Sequence, residues 1–285
     1  MKISIDGQLV EGDAARIPIQ DHGLLYGDGI FEGMRALRGR IFKLDWHMER
    51  LAYGARALQL QLPGGIERMR EIALMTLAAH TGSEDVYMRL IVTRGDGPLG
   101  VDPTTCPAPR VICLADRIAL YSDEKRAQGL ALITSSLRRP SSDVLDPRVK
   151  SLNYLNNVLA KGEARRAGAD DALLLNQAGH VAEASVANLF VVRGGELFTP
   201  PTTDGALDGI NRRAALELAR ALGVPAHVQT LTRIDLFAAD EVFLTGTGAG
   251  IVRVRSLDSQ LVGGEALGPI TRRIAAAHLE MRQAG

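Results

Sequence analysis

The sequence predicts a mixed α/β (α+β) protein built in two parts. Short strand-like and helical stretches interleave in both halves, and a polar stretch from Asp116 to Gln128 stands between them. With 285 residues, 46% of them hydrophobic, there is enough apolar material for one large core or two smaller ones. That polar stretch is the candidate linker, which sets the expected domains at 1–118 and 130–285 with 119–129 between them.

Composition excludes several classes. Lys plus Arg and Asp plus Glu number 33 each, so no global field recruits nucleic acid or an anionic membrane. No apolar run approaches the roughly 18 residues of a membrane span, and the opening residues read as neither a signal nor a transit peptide. The expected location is the cytoplasm. Cys106 and Cys113 sit in a Pro-rich turn and the strand after it, with neither metal-ligand nor disulfide-framework spacing. The six histidines are scattered, and no metal is expected.

Taken in order, Lys2–Ile5 and Gln8–Val10 read as a hairpin about Asp6-Gly7. Asp21–Gly33 is glycine-dense, which signals positive φ or close backbone approach. A second hairpin is expected about Arg38-Gly39. From Asp45 the apolar period becomes helical (Met48, Leu51, Ala55, Leu58), with Arg50 on that helix, and a further helix runs from about Ile66 to His80. Val86–Thr93 is a strand with Tyr87 and Arg89 on one face; a loop at 94–100 and a strand at Arg110–Leu114 follow.

The second half opens on a strand, Leu130–Ser135, and a loop to Asp146-Pro147. Leu152, Leu155, Val158, Leu159, Ala164 and Ala167 then recur at helical spacing, with Ser151 or Asn153 as the cap. Strands are expected at 171–175, 181–185, 188–192, 196–199, 241–244 and 251–256. A helix with Ala215, Leu218, Ala219 and Leu222 on its stripe ends at Gly223. A last helix spans about Pro269 to Arg282.

Four features carry chemistry. Lys150 stands at the end of a loop and the mouth of a helix, beside Tyr154, and is a candidate nucleophilic amine; the plain alternative is a surface lysine. Glu183 is the one acid in Val181–Val186, ahead of an apolar strand. It is either a solvated or Arg-paired carboxylate, or one that holds a proton on a ring nitrogen. Gly209-Ile210-Asn211 opens a helix, where free N–H groups favour a phosphate if they do more than cap. Thr245–Gly250 follows a strand and is either a tight hairpin or a backbone anion cradle to which Thr247 adds a hydroxyl. It lacks the Lys-Ser/Thr of a Walker loop and the following helix of a dinucleotide fingerprint. A lysine, a buried glutamate and two phosphate-ready backbone sites are together what pyridoxal 5'-phosphate requires.

The chain resembles the class IV (fold type IV) pyridoxal-phosphate aminotransferases over nearly its whole length. The resemblance is carried by Gly23–Gly33, Arg148–Asn157, Glu183–Phe190, Leu197–Pro201, Gly209–Arg212 and Asp240–Thr247. It implies a two-domain architecture like that of D-amino-acid aminotransferase, with the cofactor mostly on the C-terminal domain, and a homodimer or higher homo-oligomer. It also implies roles. Lys150 is the Schiff-base lysine and the catalytic acid and base, Tyr154 bonds the phenolic oxygen, and Glu183 partners the pyridine nitrogen. Arg50, Ile210, Asn211 and Thr247 form the phosphate cup, although Asn211 is commonly threonine in the family.

Tyr87-Met88-Arg89 matches the Tyr-x-Arg strand of the branched-chain enzymes, which seats the substrate carboxylate. Asp96–Gly100 resembles their loop over the side-chain pocket, implying substrate contacts from Tyr26, Phe31, Tyr87, Arg89, Leu99 and Gly248. Where D-amino-acid enzymes carry Arg-x-His, this chain has Leu99, Gly100 and Val101. Gly246–Gly250 reads Gly-Thr-Gly-Ala-Gly in place of Gly-Thr-Ala-Ala-Glu, which implies a looser turn. The implied reaction is reversible, ping-pong transfer of the amino group of Leu, Ile or Val to 2-oxoglutarate. Alternatives within the family are D-amino-acid or (R)-amine transamination and aminodeoxychorismate lysis.

Overall fold

The computed structural model describes residues 1–82, 84–117, 121–264 and 266–284. It divides into two compact units, Met1–Ile118 with Val149–Asn153, and Ala119–Arg148 with Tyr154–Ala284. Among the described residues no helix is long and apolar enough to cross a membrane. The boundary expected at residue 118 and the first two residues of the expected linker lie outside the described residues. The rest of that stretch carries a short helix, Asp123–Gln128, capped by the Ser122 hydroxyl on Lys125 N–H.

In the first unit, β1 (Lys2–Ile5) and β2 (Gln8–Val10) are followed by α1 (His22–Tyr26), β3 (Gly29–Leu37) and β4 (Arg40–Ile41). Helices α2 (Leu44–Ala57) and α3 (Gly65–Ala78) precede β5 (Asp85–Thr93) and β6 (Arg110–Asp116). The strands form one sheet, β2-β1-β6-β5-β3-β4. Both expected hairpins turn through pairs of positive φ, Asp6-Gly7 and Arg38-Gly39, as a two-residue turn between twisted strands demands. Alternation along β3 puts Ile30, Met34 and Ala36 into a core with Met48 and Leu51 of α2 and Met69, Ile72 and Ala73 of α3. Phe31 and Gly33 face the other way.

In the second unit, α4 (Asp123–Gln128), β7 (Leu130–Arg138), α5 (Ser142–Leu145) and α6 (Leu155–Arg166) come first. They are followed by β8 (Asp171–Leu175), β9 (Val181–Ala184), β10 (Asn188–Arg193), β11 (Glu196–Thr199), α7 (Ile210–Ala221), β12 (Ala226–Val228) and α8 (Arg233–Phe237). The chain closes with β13 (Glu241–Gly246), β14 (Gly250–Leu257), β15 (Gln260–Leu261) and α9 (Pro269–Ala284). The sheet order is β12-β11-β10-β13-β14-β7-β8-β9, with β15 on β14. Leu173 and Val181 near one end of that order share a core with Leu189 and Leu244 further along it, so the sheet wraps round an apolar centre. Its outer face, at Phe190, Val192 and Phe243, is covered by Leu216, Leu218 and Ala219 of α7 and Ile274 of α9.

Two local expectations are corrected. Neither Ser151 nor Asn153 caps α6: the N-cap is Tyr154, with no side-chain cap bond. Ser151 instead forms a β-bridge with Ile30, and Asn153 Nδ2 donates to the Gly27 carbonyl, so long-range pairing takes the residues the local pattern assigned to the helix. The apolar stripe of α6 is also not its buried face. Leu155, Val158 and Leu159 are exposed, and Asn157, Ala160 and Ala164 are buried, because small residues let the helix lie close on β7 and β8.

Candidate functional site

In the first unit, the segment carrying Lys150 is laid along the start of β3. Phe31 N–H donates to the Lys150 carbonyl at 2.9 Å, and Leu152 N–H donates to the Gly29 carbonyl at 2.9 Å. This brings the Lys150 ammonium nitrogen to 4.4 Å from the centroid of the Phe31 ring. The Arg89 guanidinium lies 4.9 Å from the same centroid and donates to the Tyr87 hydroxyl at 3.0 Å. A side chain at Gly33 would collide with that hydroxyl, so glycine there makes room for Tyr87. Lys150, Phe31, Tyr87 and Arg89 therefore come together. Tyr26 accepts from Gly100 N–H at 2.9 Å, and Leu99 on the same loop is 79% exposed.

Arg50 is fixed on the helix-covered side of the sheet. Glu32 takes two bonds from it, Nε to Oε1 at 2.8 Å and Nη2 to Oε2 at 2.7 Å, and His47 Nδ1 lies 2.6 Å from Oε2. Burial alone would raise the Glu32 pKa, but Arg50 and then His47 outweigh it and hold the carboxyl at about 2, below its ordinary 4.5. A depressed carboxylate pKa contributes stability in full above pH 4.5, and that contribution is lost as pH falls through about 2. Denaturant midpoints measured at pH 5 and pH 3 should drop much less on acidification in Glu32→Gln than in the wild type. An equal drop in both would refute this coupling.

Neither Glu32 nor His47 was a candidate from the sequence. The signal for Glu32 was available: it shares the inward parity of Ile30 and Met34 on β3, and a charge on a core face needs a buried partner.

In the second unit, Glu183 is buried on β9. Its Oε1 accepts from Arg139 Nη2 at 2.5 Å, and its Oε2 accepts from Asn188 Nδ2 at 3.0 Å and Leu207 N–H at 3.1 Å. Arg139 is itself 7% exposed and donates to the Gly205 and Asn157 oxygens. The glutamate is thus buried and Arg-paired, as the plainer of the two sequence readings has it. Tyr154 is half-buried at the mouth of α6. Arg139 carried no signal in the sequence, being one of two arginines before a proline.

Ile210 and Asn211 open α7 behind Gly209, which supplies no side-chain cap, so first-turn N–H groups face outward as a positive end. Gly209 is required because any side chain there would strike Asn188 Oδ1. Asn211 Nδ2 donates to Thr247 Oγ1 at 3.3 Å, and Asn211 Oδ1 is 2.7 Å from His278 Nε2. The Thr247–Gly250 turn, expected to be loose, is braced from α4: Arg126 Nη1 donates to the Ala249 carbonyl at 2.6 Å and Nη2 reaches that of Gly248 at 3.4 Å. Thr245 Oγ1 is buried without a partner, and its ladder neighbour is Asn188, the residue that donates to Glu183.

A model of the Amino-transferase class IV family matches residues 29–257. A Methanocaldococcus jannaschii protein provisionally named a branched-chain-amino-acid aminotransferase is 42% identical over 282 residues, covering 99% of this chain and 96% of that protein. The Escherichia coli K12 branched-chain-amino-acid aminotransferase is 34% identical, covering 96% and 91%. Among solved structures, an Escherichia coli branched-chain amino acid aminotransferase superposes with a TM-score of 0.93 at 34% identity, covering 98% of this chain and 93% of the other. The Thermobaculum terrenum branched-chain amino acid aminotransferase in its PLP-bound holo-form gives 0.88 at 28% identity, covering 99% and 94%.

Proposed function

We propose that this chain, which belongs to the class IV aminotransferase family, is a pyridoxal-phosphate-dependent aminotransferase that acts on branched-chain L-amino acids with 2-oxoglutarate as acceptor. The observation that carries this is in the first unit: an amine, on Lys150, and an Arg–Tyr pair suited to a carboxylate, Arg89 with Tyr87, meet over one aromatic ring, Phe31. The donor set fits the cofactor. Glu183 is held as an acceptor by Arg139, Asn188 and Leu207 donors, and a pyridinium N–H would be a donor of the same kind. The uncapped start of α7 and the Thr247 turn offer N–H and hydroxyl groups to a dianion.

When bound, pyridoxal phosphate supplies a carbonyl carbon for the substrate amine and a ring that takes up the electron pair left on the α-carbon. Lys150 would move the proton of the substrate α-carbon, taking it as a base and giving it back as an acid. Glu183, paired with Arg139, would stand as the acceptor for a proton on the ring nitrogen. In the second unit Ile210, Asn211 and Thr247 would hold the phosphate and Tyr154 the phenolic oxygen; in the first, Arg50, oriented by Glu32, is proposed as a phosphate ligand. In the first unit Arg89 and Tyr87 would seat the substrate carboxylate, and Phe31 and Leu99 would meet its aliphatic side chain, with Tyr26 bracing the loop of Leu99; in the second, Gly248 is proposed as a substrate contact. A methylene there is worth about 1–3 kcal/mol, so Leu, Ile, Val and Met overlap as donors.

The domain division is proposed at 1–118, 119–129 and 130–285. The protein is proposed to work in the cytoplasm as a homodimer or higher homo-oligomer, supported by exposed apolar side chains at Leu24, Tyr26, Leu155 and Val158. A donor panel with 2-oxoglutarate and pyruvate as acceptors tests the activity. L-Leucine, L-isoleucine and L-valine should exceed D-alanine and an (R)-amine by at least about 100-fold in kcat/KM. Preference for D-alanine or the (R)-amine, or pyruvate release from aminodeoxychorismate without any acceptor, would contradict the proposal.

A further inference from the structure

We propose that His278 is a positioning residue that fixes the Asn211 amide and so turns the Thr247 hydroxyl hydrogen toward the cofactor phosphate. The three side chains form a line within the second unit. His278, on α9, is 3% exposed and Asn211 is 6% exposed. His278 Nε2 lies 2.7 Å from Asn211 Oδ1, and Asn211 Nδ2 lies 3.3 Å from Thr247 Oγ1.

A carboxamide oxygen only accepts and its nitrogen only donates. Facing Oδ1, His278 must therefore carry hydrogen on Nε2, and Asn211 must donate to Thr247. With its oxygen accepting, Thr247 is left to donate its own hydrogen elsewhere. The opposite arrangement is just as closed: Nδ1–H on His278 makes Nε2 an acceptor, the amide turns over, and Thr247 spends its hydrogen on Asn211 Oδ1. One imidazole tautomer thus decides whether the hydroxyl donates to an anion or presents a lone pair to it. The second outcome is repulsive for a dianionic phosphate. Burial first, and then Arg282, lowers the His278 pKa from 6.5 to about 4, so at neutral pH the ring carries a single proton.

The inference rests on the reading of Thr247 as a phosphate ligand, and its test separates the two. Apoenzyme is titrated by absorbance with pyridoxal 5'-phosphate and with pyridoxal, which lacks the phosphate. Wild type should strongly prefer the phosphorylated compound; no preference would overturn the phosphate-ligand reading and this inference with it. His278→Leu should lower that preference about 10-fold, the worth of one hydrogen bond to a charged group, while leaving pyridoxal affinity unchanged. His278→Gln, which keeps an N–H donor, should restore most of it. If His278→Leu weakens both compounds equally, or keeps the full preference, the positioning role is overturned and the cofactor reading stands. Long-range 1H–15N spectra of the wild-type holoenzyme test the same claim without a mutation. Nε2–H on His278 is the expected tautomer, and Nδ1–H would overturn the inference.

Discussion

Lys150→Ala should turn over L-leucine about 10⁴-fold more slowly than wild type, because one side chain serves both as nucleophile and as the base at the substrate α-carbon. Lys150→Arg should be as inactive. It keeps a cation over the Phe31 ring but stays protonated and cannot act as a nucleophile. The pair of variants therefore distinguishes a nucleophilic amine from a mere positive charge. Folding should survive both changes, since the backbone bonds from Lys150 to Phe31 and from Leu152 to Gly29 do not involve the side chain. A Lys150→Ala enzyme within a few-fold of wild type would remove the lysine from the chemistry.

Glu183→Gln should lower kcat by roughly 10²–10³, the scale for losing one preorganised electrostatic partner of a reacting charge. The loss needs separating from instability. Arg139 is buried against Glu183, and stripping the carboxylate's charge leaves a guanidinium uncompensated, at about 3–5 kcal/mol. Arg139→Met combined with Glu183→Gln removes both charges together. Thermal unfolding should then recover toward wild type while kcat stays low, since the ring nitrogen still lacks its anionic partner. Recovery of both would mean that Glu183 acts only through the fold.

The elements were legible wherever local chemistry decides them. Asp6-Gly7, Arg38-Gly39 and Gly194-Gly195 all take the positive φ that their hairpins need, and Gly223 stops α7 at φ +71°. The candidates Lys150, Glu183, Asn211 and Thr247 stood out because each is a chemically pointed side chain at an element's end. Their supports did not. Arg139 reaches Glu183, Glu32 reaches Arg50 and His278 reaches Asn211 from separate elements, and periodicity within one window holds no trace of such pairings. The stripe of Leu155, Val158 and Leu159 on α6 is a different kind of miss. The helix was plain, but its apolar face points outward, so period alone located the element and misplaced its packing. Val149–Asn153 belongs with the first unit although its neighbours in sequence belong with the second, again because a β-bridge to β3 outweighs local preference.

Borohydride reduction of the yellow holoenzyme, followed by peptide mapping, tests the central claim most directly. The reduced cofactor should be found on the peptide containing Lys150 and nowhere else, with loss of the visible absorbance. A label on another lysine, or a protein that holds no reducible cofactor while still transaminating leucine, would contradict the assignment.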